Sequence, residues 1–157
     1  MAIPQPGQSA PDFEVLSDTG ETLRLADLRG QRIVLYFYPK ADTPGCTKQA
    51  CAFRNDYSAY QQKGVVVLGA SPNSVEQQAA FKTKYDLPFA LLADHDHRIA
   101  DLYGIWGTHR LRTEAGVEVD YTGILRSTFV IDEQGYISHV FLGVDPANNS
   151  REMLDLL

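Results

Sequence analysis

The sequence contains two cysteines, and their position at a predicted helix start indicates thiol chemistry. They follow directly on the apolar segment Ile33 to Tyr38. Thr43 is a favourable N-cap, and Pro44 then occupies the first helical position, where its missing N–H costs nothing. Cys46 therefore falls in the first turn, where unpaired backbone N–H groups and the helix dipole favour an anion. Because the thiolate is the nucleophilic form of cysteine, Cys46 is a candidate nucleophile.

A structural role is the alternative for each cysteine, because an unpaired cysteine is often a small buried hydrophobe. The position in the first helical turn favours reactivity for Cys46, whereas for Cys51 both interpretations stay open. Two thiols in a chain of 157 residues do not make a disulfide scaffold. In a reducing compartment such cysteines are catalytic, redox-active or buried.

The predicted cysteine helix, residues 44–62, places the two thiols on different faces. One apolar stripe with helical spacing consists of Cys46, Ala50, Phe53, Tyr57 and Tyr60. Cys51 lies about 140° further around the axis, among polar neighbours. On an intact helix, α-carbons five residues apart are about 8.6 Å from each other, whereas a disulfide requires about 4.4–6.8 Å. If these two thiols pair, part of the helix must unwind.

Length and composition predict one soluble domain covering residues 1–157. The apolar fraction is 44%, the net charge is −6 and no stretch is strongly basic, which argues against nucleic acid or an anionic membrane surface as the partner. The N-terminal segment has neither a basic start nor an apolar run, and no apolar run is long enough to span a bilayer. We therefore expect a cytoplasmic protein with no membrane partner.

The order of predicted elements is β-α-β-α-β-β-α, which indicates an α/β fold with a mixed sheet. Continuous apolar runs predict strands that are covered on both faces. Strands are predicted at 33–38, 65–68, 128–131 and 136–142, with a short edge strand at 22–25. Helices are predicted at 44–62, 75–85, 97–103 and 150–157. This order fits the thioredoxin-like architecture and also other α/β folds.

A second group of polar residues, Asp94-His95-Asp96-His97, suggests a metal site at first sight. Adjacent residues on a loop that enters a helix point in different directions. Neither histidine has a cysteine or a third histidine at a usual ligand spacing. We interpret the group as a solvated turn and helix start.

The segment FYPKADTPGCTKQAC, Phe37 to Cys51, resembles the peroxiredoxins, and most closely their bacterioferritin comigratory protein, or Q-type, subfamily. The resemblance extends over nearly the whole chain, through GQSAPDF at 7–13, LLADHDHRIADLYGIWG at 91–107 and GILRSTFVIDEQG at 123–135. It implies a single-domain thioredoxin-like fold, with a mixed central sheet flanked by helices. The segment Thr108 to Tyr121 departs from the family pattern because it is longer and more polar.

The resemblance also implies a reaction and a set of roles. Cys46 would attack hydrogen peroxide or an organic hydroperoxide and become a sulfenic acid, and Cys51 would condense with it in an intramolecular disulfide. Arg126 would favour the thiolate and polarise the peroxide, Thr43 would align it, and Pro39 would shield the pocket from water.

The partners that the resemblance implies are a peroxide and a thioredoxin-type reductant, which recycles the disulfide by thiol exchange. The expected role is that of an antioxidant enzyme, and no metal or organic cofactor is required. Q-type relatives are often monomers, which suits an intramolecular disulfide, although the sequence leaves a dimer open.

Three other classes of protein compete with this interpretation. A copper-binding, thioredoxin-like assembly factor would hold one ion between two cysteines, which the spacing of five residues does not favour. A disulfide reductase of the thioredoxin type requires Cys-x-x-Cys, which is absent. A non-enzymatic binding domain would leave the combination of Thr43, Cys46 and Arg126 unexplained.

The spacing of the two cysteines generates a first prediction. Oxidation to the disulfide should unwind part of the cysteine helix, because the intact helix holds the α-carbons too far apart. Hydrogen exchange should show lower amide protection within residues 44–62 in the oxidised form than in the reduced form, and circular dichroism should show less helix. Equal protection in the two forms would contradict the prediction.

Overall fold

The computed structural model describes residues 2–113 and 115–157. The strands in this part of the chain are β1 (Glu14–Leu16), β2 (Thr22–Arg24), β3 (Arg32–Phe37), β4 (Val65–Ser71), β5 (Ala90–Ala93), β6 (Trp106–Arg112), β7 (Glu118–Ile124), β8 (Ser127–Ile131) and β9 (Ile137–Leu142). A short 3-10 helix spans Leu25–Leu28, and the α-helices are α1 (Pro44–Asn55), α2 (Tyr57–Gln62), α3 (Val75–Tyr85), α4 (Arg98–Leu102) and α5 (Asn149–Leu156). Among the described helices, none combines the length and apolar character that a membrane crossing requires.

A five-stranded mixed sheet forms the centre of the fold, with the strand order β5-β4-β3-β8-β9. β3, β4 and β5 run parallel to one another. β8 runs antiparallel to β3, and β9 runs antiparallel to β8. The predicted α/β architecture with a mixed central sheet is therefore confirmed, and so is the predicted pairing of β8 with β9.

The central strand β3 buries its side chains on both faces of the sheet. Ile33, Leu35 and Phe37 point into one apolar cluster, which also contains residues of α4. The alternate residues, Val34 and Tyr36, together with Tyr38 directly after the strand, point into a second cluster, which contains residues of α1, α3 and α5. This arrangement explains why the strand is apolar from Ile33 to its end, since helices cover both sides.

The predicted helix 44–62 is interrupted at Asp56, where φ is −93° and ψ is 1°. Asp56 lies between α1 and α2, and its backbone N–H still donates to the Ala52 carbonyl at 3.1 Å. Its carboxylate accepts a hydrogen bond from the Ser150 hydroxyl at 2.8 Å. The bend thus coincides with a contact to α5, which local helix periodicity does not reveal.

The strands that the sequence did not predict are β1, β5, β6 and β7, and the short 3-10 helix was not predicted either. β5 is the four-residue segment ALLA, too short for a clear pattern. β6 and β7 form an antiparallel hairpin that is largely exposed, so their side chains lack the apolar run of a core strand. In contrast, α3 has the predicted bounds and the predicted capping box, in which Ser74 and Gln77 each accept a backbone N–H of the other.

Two buried tyrosines, Tyr36 in β3 and Tyr38 directly after it, differ in one hydrogen bond. The Tyr38 hydroxyl donates to the Gln78 side-chain oxygen at 2.6 Å. The Tyr36 hydroxyl lies over Gly69 and has no hydrogen-bond partner within the described residues. Both rings are completely buried on the same face of the sheet.

This difference predicts opposite effects for the same chemical change. Tyr38→Phe should lower the free energy of unfolding by about 1–3 kcal/mol, because it leaves the Gln78 oxygen buried without its donor. Tyr36→Phe should leave stability unchanged or raise it by about 1 kcal/mol, because it removes a hydroxyl that is buried without a partner. Urea unfolding of both variants measures the difference, and equal destabilisation would show that the Tyr36 hydroxyl is bonded in solution.

Candidate active site

The pairing of β3 with β8 brings two distant parts of the chain together at the start of α1. Phe37, the last residue of β3, lies opposite Ser127, the first residue of β8. Arg126, immediately before Ser127, therefore lies beside the end of β3 from which the chain enters α1. Its Nη2 donates to Cys46 Sγ at 3.4 Å. This places a cation at the thiol that is predicted to become an anion.

A second contact holds the Arg126 guanidinium in this position. Arg126 Nη1 donates to Gln49 Oε1 at 2.7 Å. Gly45 leaves space for the same group, since a Cβ at Gly45 would lie 3.2 Å from Arg126 Nη2. The sequence analysis did not identify Gln49. The signal was a polar residue three positions after Cys46, beside the apolar stripe, and the structure buries it completely.

Thr43 is the N-cap of α1 and Pro44 is the first helical residue, as predicted, but the Thr43 side chain does not cap the helix. Its hydroxyl donates instead to the Lys40 carbonyl at 2.7 Å. The backbone carbonyl of Thr43 receives the helical bond from the Thr47 N–H at 2.8 Å. With its proton committed to Lys40, the Thr43 hydroxyl can only accept a hydrogen bond from a ligand.

The loop before α1 is fixed on α3 through Asp42, whose φ is +62°. The Asp42 carboxylate accepts hydrogen bonds from the Tyr85 hydroxyl at 2.7 Å and from Lys84 at 2.9 Å. These bonds, that from Tyr85 first, lower the pKa of Asp42 below its ordinary value. The Ala41 N–H adds a bond to the Asn73 side chain at 2.9 Å. Together these contacts define where α1 begins.

The two cysteines are free thiols in different environments on one continuous helix. Cys46 is buried, with 1% of its surface exposed, whereas Cys51 is half-buried. This agrees with the predicted separation between the packed face and a wetter face. The intact α1 between them corresponds to the state in which the two thiols cannot bond.

A largely apolar cleft of about 370 Å³ opens beside Arg126. Pro39 and Arg126 form part of its lining, next to the Cys46 end of the site. The β6–β7 hairpin contributes His109, Leu111 and Tyr121 to the lining. The segment that departs from the family pattern, Thr108 to Tyr121, belongs to this hairpin and therefore lies at the cleft.

Tyr121 and His109 are the polar side chains with which the hairpin lines the cleft. The Tyr121 ring lies against Gly123, where a Cβ would come within 2.5 Å of the hydroxyl oxygen, so only glycine fits there at φ +154°. Burial raises the pKa of Tyr121 above its ordinary value. The phenol is therefore neutral at physiological pH and adds no charge to the cleft.

The Asp94–His97 segment has a structural role at the start of α4. The Asp94 carboxylate accepts hydrogen bonds from the Ile99 and Ala100 backbone N–H groups, each at 3.0 Å, and burial raises its pKa. The His97 ring stacks on Trp106 at 3.8 Å between centroids. Across residues 2–113 and 115–157, no group of three or more His, Cys, Asp or Glu side chains could hold a metal ion.

The sequence of this chain is similar to a known protein family and to individual members of that family. Residues 6–140 match the AhpC/TSA family. The chain is 50% identical to a putative peroxiredoxin bcp of Coxiella burnetii, over 86% of each chain. It is 43% identical to the peroxiredoxin Bcp of Bacillus subtilis, over 96% of this chain and 93% of the relative.

The fold of this chain is also similar to those of solved peroxiredoxin structures. A cysteine-to-serine mutant of PrxQ from Xylella fastidiosa superposes with a TM-score of 0.87, at 26% identity and with 99% of this chain covered and 96% of the relative. The bacterioferritin comigratory protein of Xanthomonas campestris, described for its alkyl peroxide reduction activity, superposes with a TM-score of 0.84 at 25% identity and covers 99% and 95% of the two chains. With a buried cysteine against an arginine at a helix start, and a second cysteine on that helix, this chain belongs to the AhpC/TSA family as a peroxiredoxin of the Bcp/PrxQ group and is a thiol-dependent peroxidase.

Proposed function

We propose that Cys46 is the peroxidatic thiol and Cys51 the resolving thiol of this peroxidase. The observation that supports the proposal most directly is the 3.4 Å contact between Arg126 Nη2 and Cys46 Sγ, at the start of the helix that also contains Cys51. A guanidinium and the free N–H groups of a helix start both stabilise a thiolate. Cys51 is a free, half-buried thiol further along the same helix, which suits the second thiol of the cycle.

The proposed first step is attack of the Cys46 thiolate on the distal oxygen of a hydroperoxide. The S–O bond forms as the O–O bond breaks, and the departing oxygen takes a proton and leaves as an alcohol or water. The Arg126 guanidinium stabilises the negative charge that moves from sulfur to the leaving oxygen. Thr43, whose hydroxyl can only accept, receives the hydrogen bond of the peroxide O–H and aligns it. Pro39 limits the access of water from the cleft side.

The proposed second step joins the two cysteines. Part of α1 unwinds, the Cys51 thiol attacks the Cys46 sulfenic acid, an S–S bond forms and water leaves. Cys46 and Cys51 are the two cysteines of the sequence and lie on one helix, which favours an intramolecular disulfide. A thioredoxin-type dithiol protein then reduces it by exchange, with a thiolate attacking the disulfide in the unwound, accessible segment.

The organisation of the active protein is part of the proposal. We infer one domain over residues 1–157 that acts as a monomer in the cytoplasm. Two apolar clusters that share one central sheet favour a single domain. An intramolecular disulfide requires no second subunit, which favours a monomer.

The roles of the two thiols predict distinct products. After reaction with hydrogen peroxide, the reduced protein should lose two hydrogens in mass and contain a Cys46–Cys51 disulfide. Cys46→Ser should abolish peroxide consumption, and Cys51→Ser should form one sulfenic acid and then stall or over-oxidise. Mass spectrometry after quenching at set times measures all three, and full turnover by Cys46→Ser would refute the proposal.

The apolar cleft supports organic hydroperoxides as substrates, because the alkyl part would lie against the hairpin while the O–O group reaches Arg126. Leu111 lines the cleft and is 42% exposed, so it is available for such a contact. A carboxylate at this position would disfavour an apolar substrate and leave hydrogen peroxide unaffected.

Leu111→Asp should therefore lower kcat/KM for cumene hydroperoxide about tenfold, the scale of one lost apolar contact in a pocket, with little change for hydrogen peroxide. Thr108→Asp is the matched control, because it adds the same charge to the same strand on its opposite face. Steady-state kinetics with both peroxides measure the ratio. An equal loss with both peroxides, or an equal effect of both variants, would exclude the hairpin from substrate selection.

A further inference from the structure

Asn149, the first residue of α5, lies at the end of a buried chain of hydrogen bonds that begins at Arg126. Its side-chain oxygen accepts one bond from Gln49 Nε2 at 3.0 Å and another from the Thr128 hydroxyl at 2.9 Å. All three residues are completely buried. The remaining nitrogen, Asn149 Nδ2, is buried without a hydrogen-bond partner in the described part of the chain. Keeping such a nitrogen buried without a partner costs free energy. The amide keeps this orientation because Gln49 Nε2 and the Thr128 hydroxyl both need its oxygen as an acceptor.

The orientation of the Gln49 amide depends on Asn149. Gln49 presents its oxygen to Arg126 Nη1 and its nitrogen to the Asn149 oxygen. A reversed Gln49 amide would direct N–H groups at the guanidinium, where two donors repel. The Asn149 oxygen can only accept hydrogen bonds, so the Gln49 amide must turn its nitrogen toward it. This fixes the orientation in which Gln49 holds Arg126.

We propose that Asn149 is a positioning residue of the peroxidatic centre, acting through Gln49 to hold Arg126 against Cys46 and to oppose the unwinding of α1. The proposal rests on the roles proposed above for Cys46 and Cys51. Asn149 makes no hydrogen bond to Cys46 among the described residues, so its effect passes through the 2.7 Å bond between Gln49 and Arg126.

The same bonds resist disulfide formation. Gln49 lies between Cys46 and Cys51, in the segment that must rearrange for the thiols to meet. Its displacement breaks the bonds to Arg126 and Asn149 and leaves buried polar atoms without partners, which is unfavourable. α5 is meanwhile held by α2, beyond the bend at Asp56, where the Tyr60 hydroxyl donates to the Ser150 carbonyl at 2.8 Å. Asn149 thus stays in place as α1 unwinds, and the bonds break rather than move with the helix.

The proposal predicts opposite effects on two steps of one cycle. Asn149→Ala should slow the reaction of Cys46 with hydrogen peroxide about three- to tenfold, the range expected for the loss of one oriented hydrogen bond. It should also accelerate the conversion of sulfenic acid to disulfide, and so decrease over-oxidation to sulfinic acid. Rapid-quench mass spectrometry of the full-length protein measures the second step, and the Cys51→Ser background isolates the first.

Ser150→Ala is the matched control, because it loosens the start of α5 at the Asp56 contact without touching Gln49. We expect it to leave both rate constants close to those of the unsubstituted protein. Gln49→Ala tests whether Asn149 acts through Gln49. In the Gln49→Ala background, Asn149→Ala should have no further effect on the rate of the peroxide step. If Asn149→Ala does not fold, Thr128→Val keeps the shape and removes only the second donor to Asn149, with a smaller effect in the same directions.

The outcomes separate this proposal from the assignment of the thiols. Absence of peroxide consumption by the unsubstituted protein would refute the proposed function itself. Normal turnover of that protein together with unchanged rates in Asn149→Ala, or an equal change in Ser150→Ala, would overturn the role of Asn149 alone. Additive effects of Gln49→Ala and Asn149→Ala on the peroxide step would also overturn it, because the two would then act independently.

Discussion

The register between β3 and β8 is the constraint on which the rest of the site depends. Arg126 and Cys46 are 80 residues apart in sequence, and they meet because Phe37 is paired with Ser127. A slip of one residue would turn the β8 side chains to the opposite face of the sheet and move Arg126 away from the start of α1. Phe129 and Ile131 of β8 are buried in one apolar cluster and Val130 in the other, so a slip would exchange these sets, which core packing opposes. The packing of the core and the position of Arg126 at the thiol therefore share one cause.

A second constraint arises because one helix has to support two states. α1 must be intact to place Cys46 against Arg126, and it must open for Cys51 to reach the same sulfur. The backbone N–H groups of the first helical turn have no acceptor within the helix. The first turn therefore opens at a lower free energy than the middle of the helix. At the other end, the bend at Asp56 separates α1 from α2. The opening can therefore remain within α1, without disturbing the packing of Tyr60 in the core.

The sequence predicted those parts of the site whose signals are local. An N-cap, a proline and an apolar stripe defined the cysteine helix, and continuous apolar runs defined the strands beside it. The roles assigned to Arg126 and Pro39 came from resemblance, because the contact of Arg126 with Cys46 depends on strand pairing. Gln49 and Asn149 were missed because their hydrogen bond joins residues 100 positions apart. The β6–β7 hairpin was missed because exposed strands that pair only with each other need no apolar periodicity.

Arg126 connects two elements that lie outside the cysteine motif. One of its nitrogens contacts Cys46, another contacts the Gln49–Asn149 chain of bonds, and its outer side lines the cleft beside the hairpin. Changes in the hairpin can alter which peroxide reaches the guanidinium without changing its hydrogen bonds. Changes at the start of α5 can alter those bonds without changing the cleft. In the proposed roles, the hairpin acts on substrate preference and the start of α5 acts on thiol reactivity, from opposite sides of one side chain, so that each can vary while the helix that contains both cysteines stays the same.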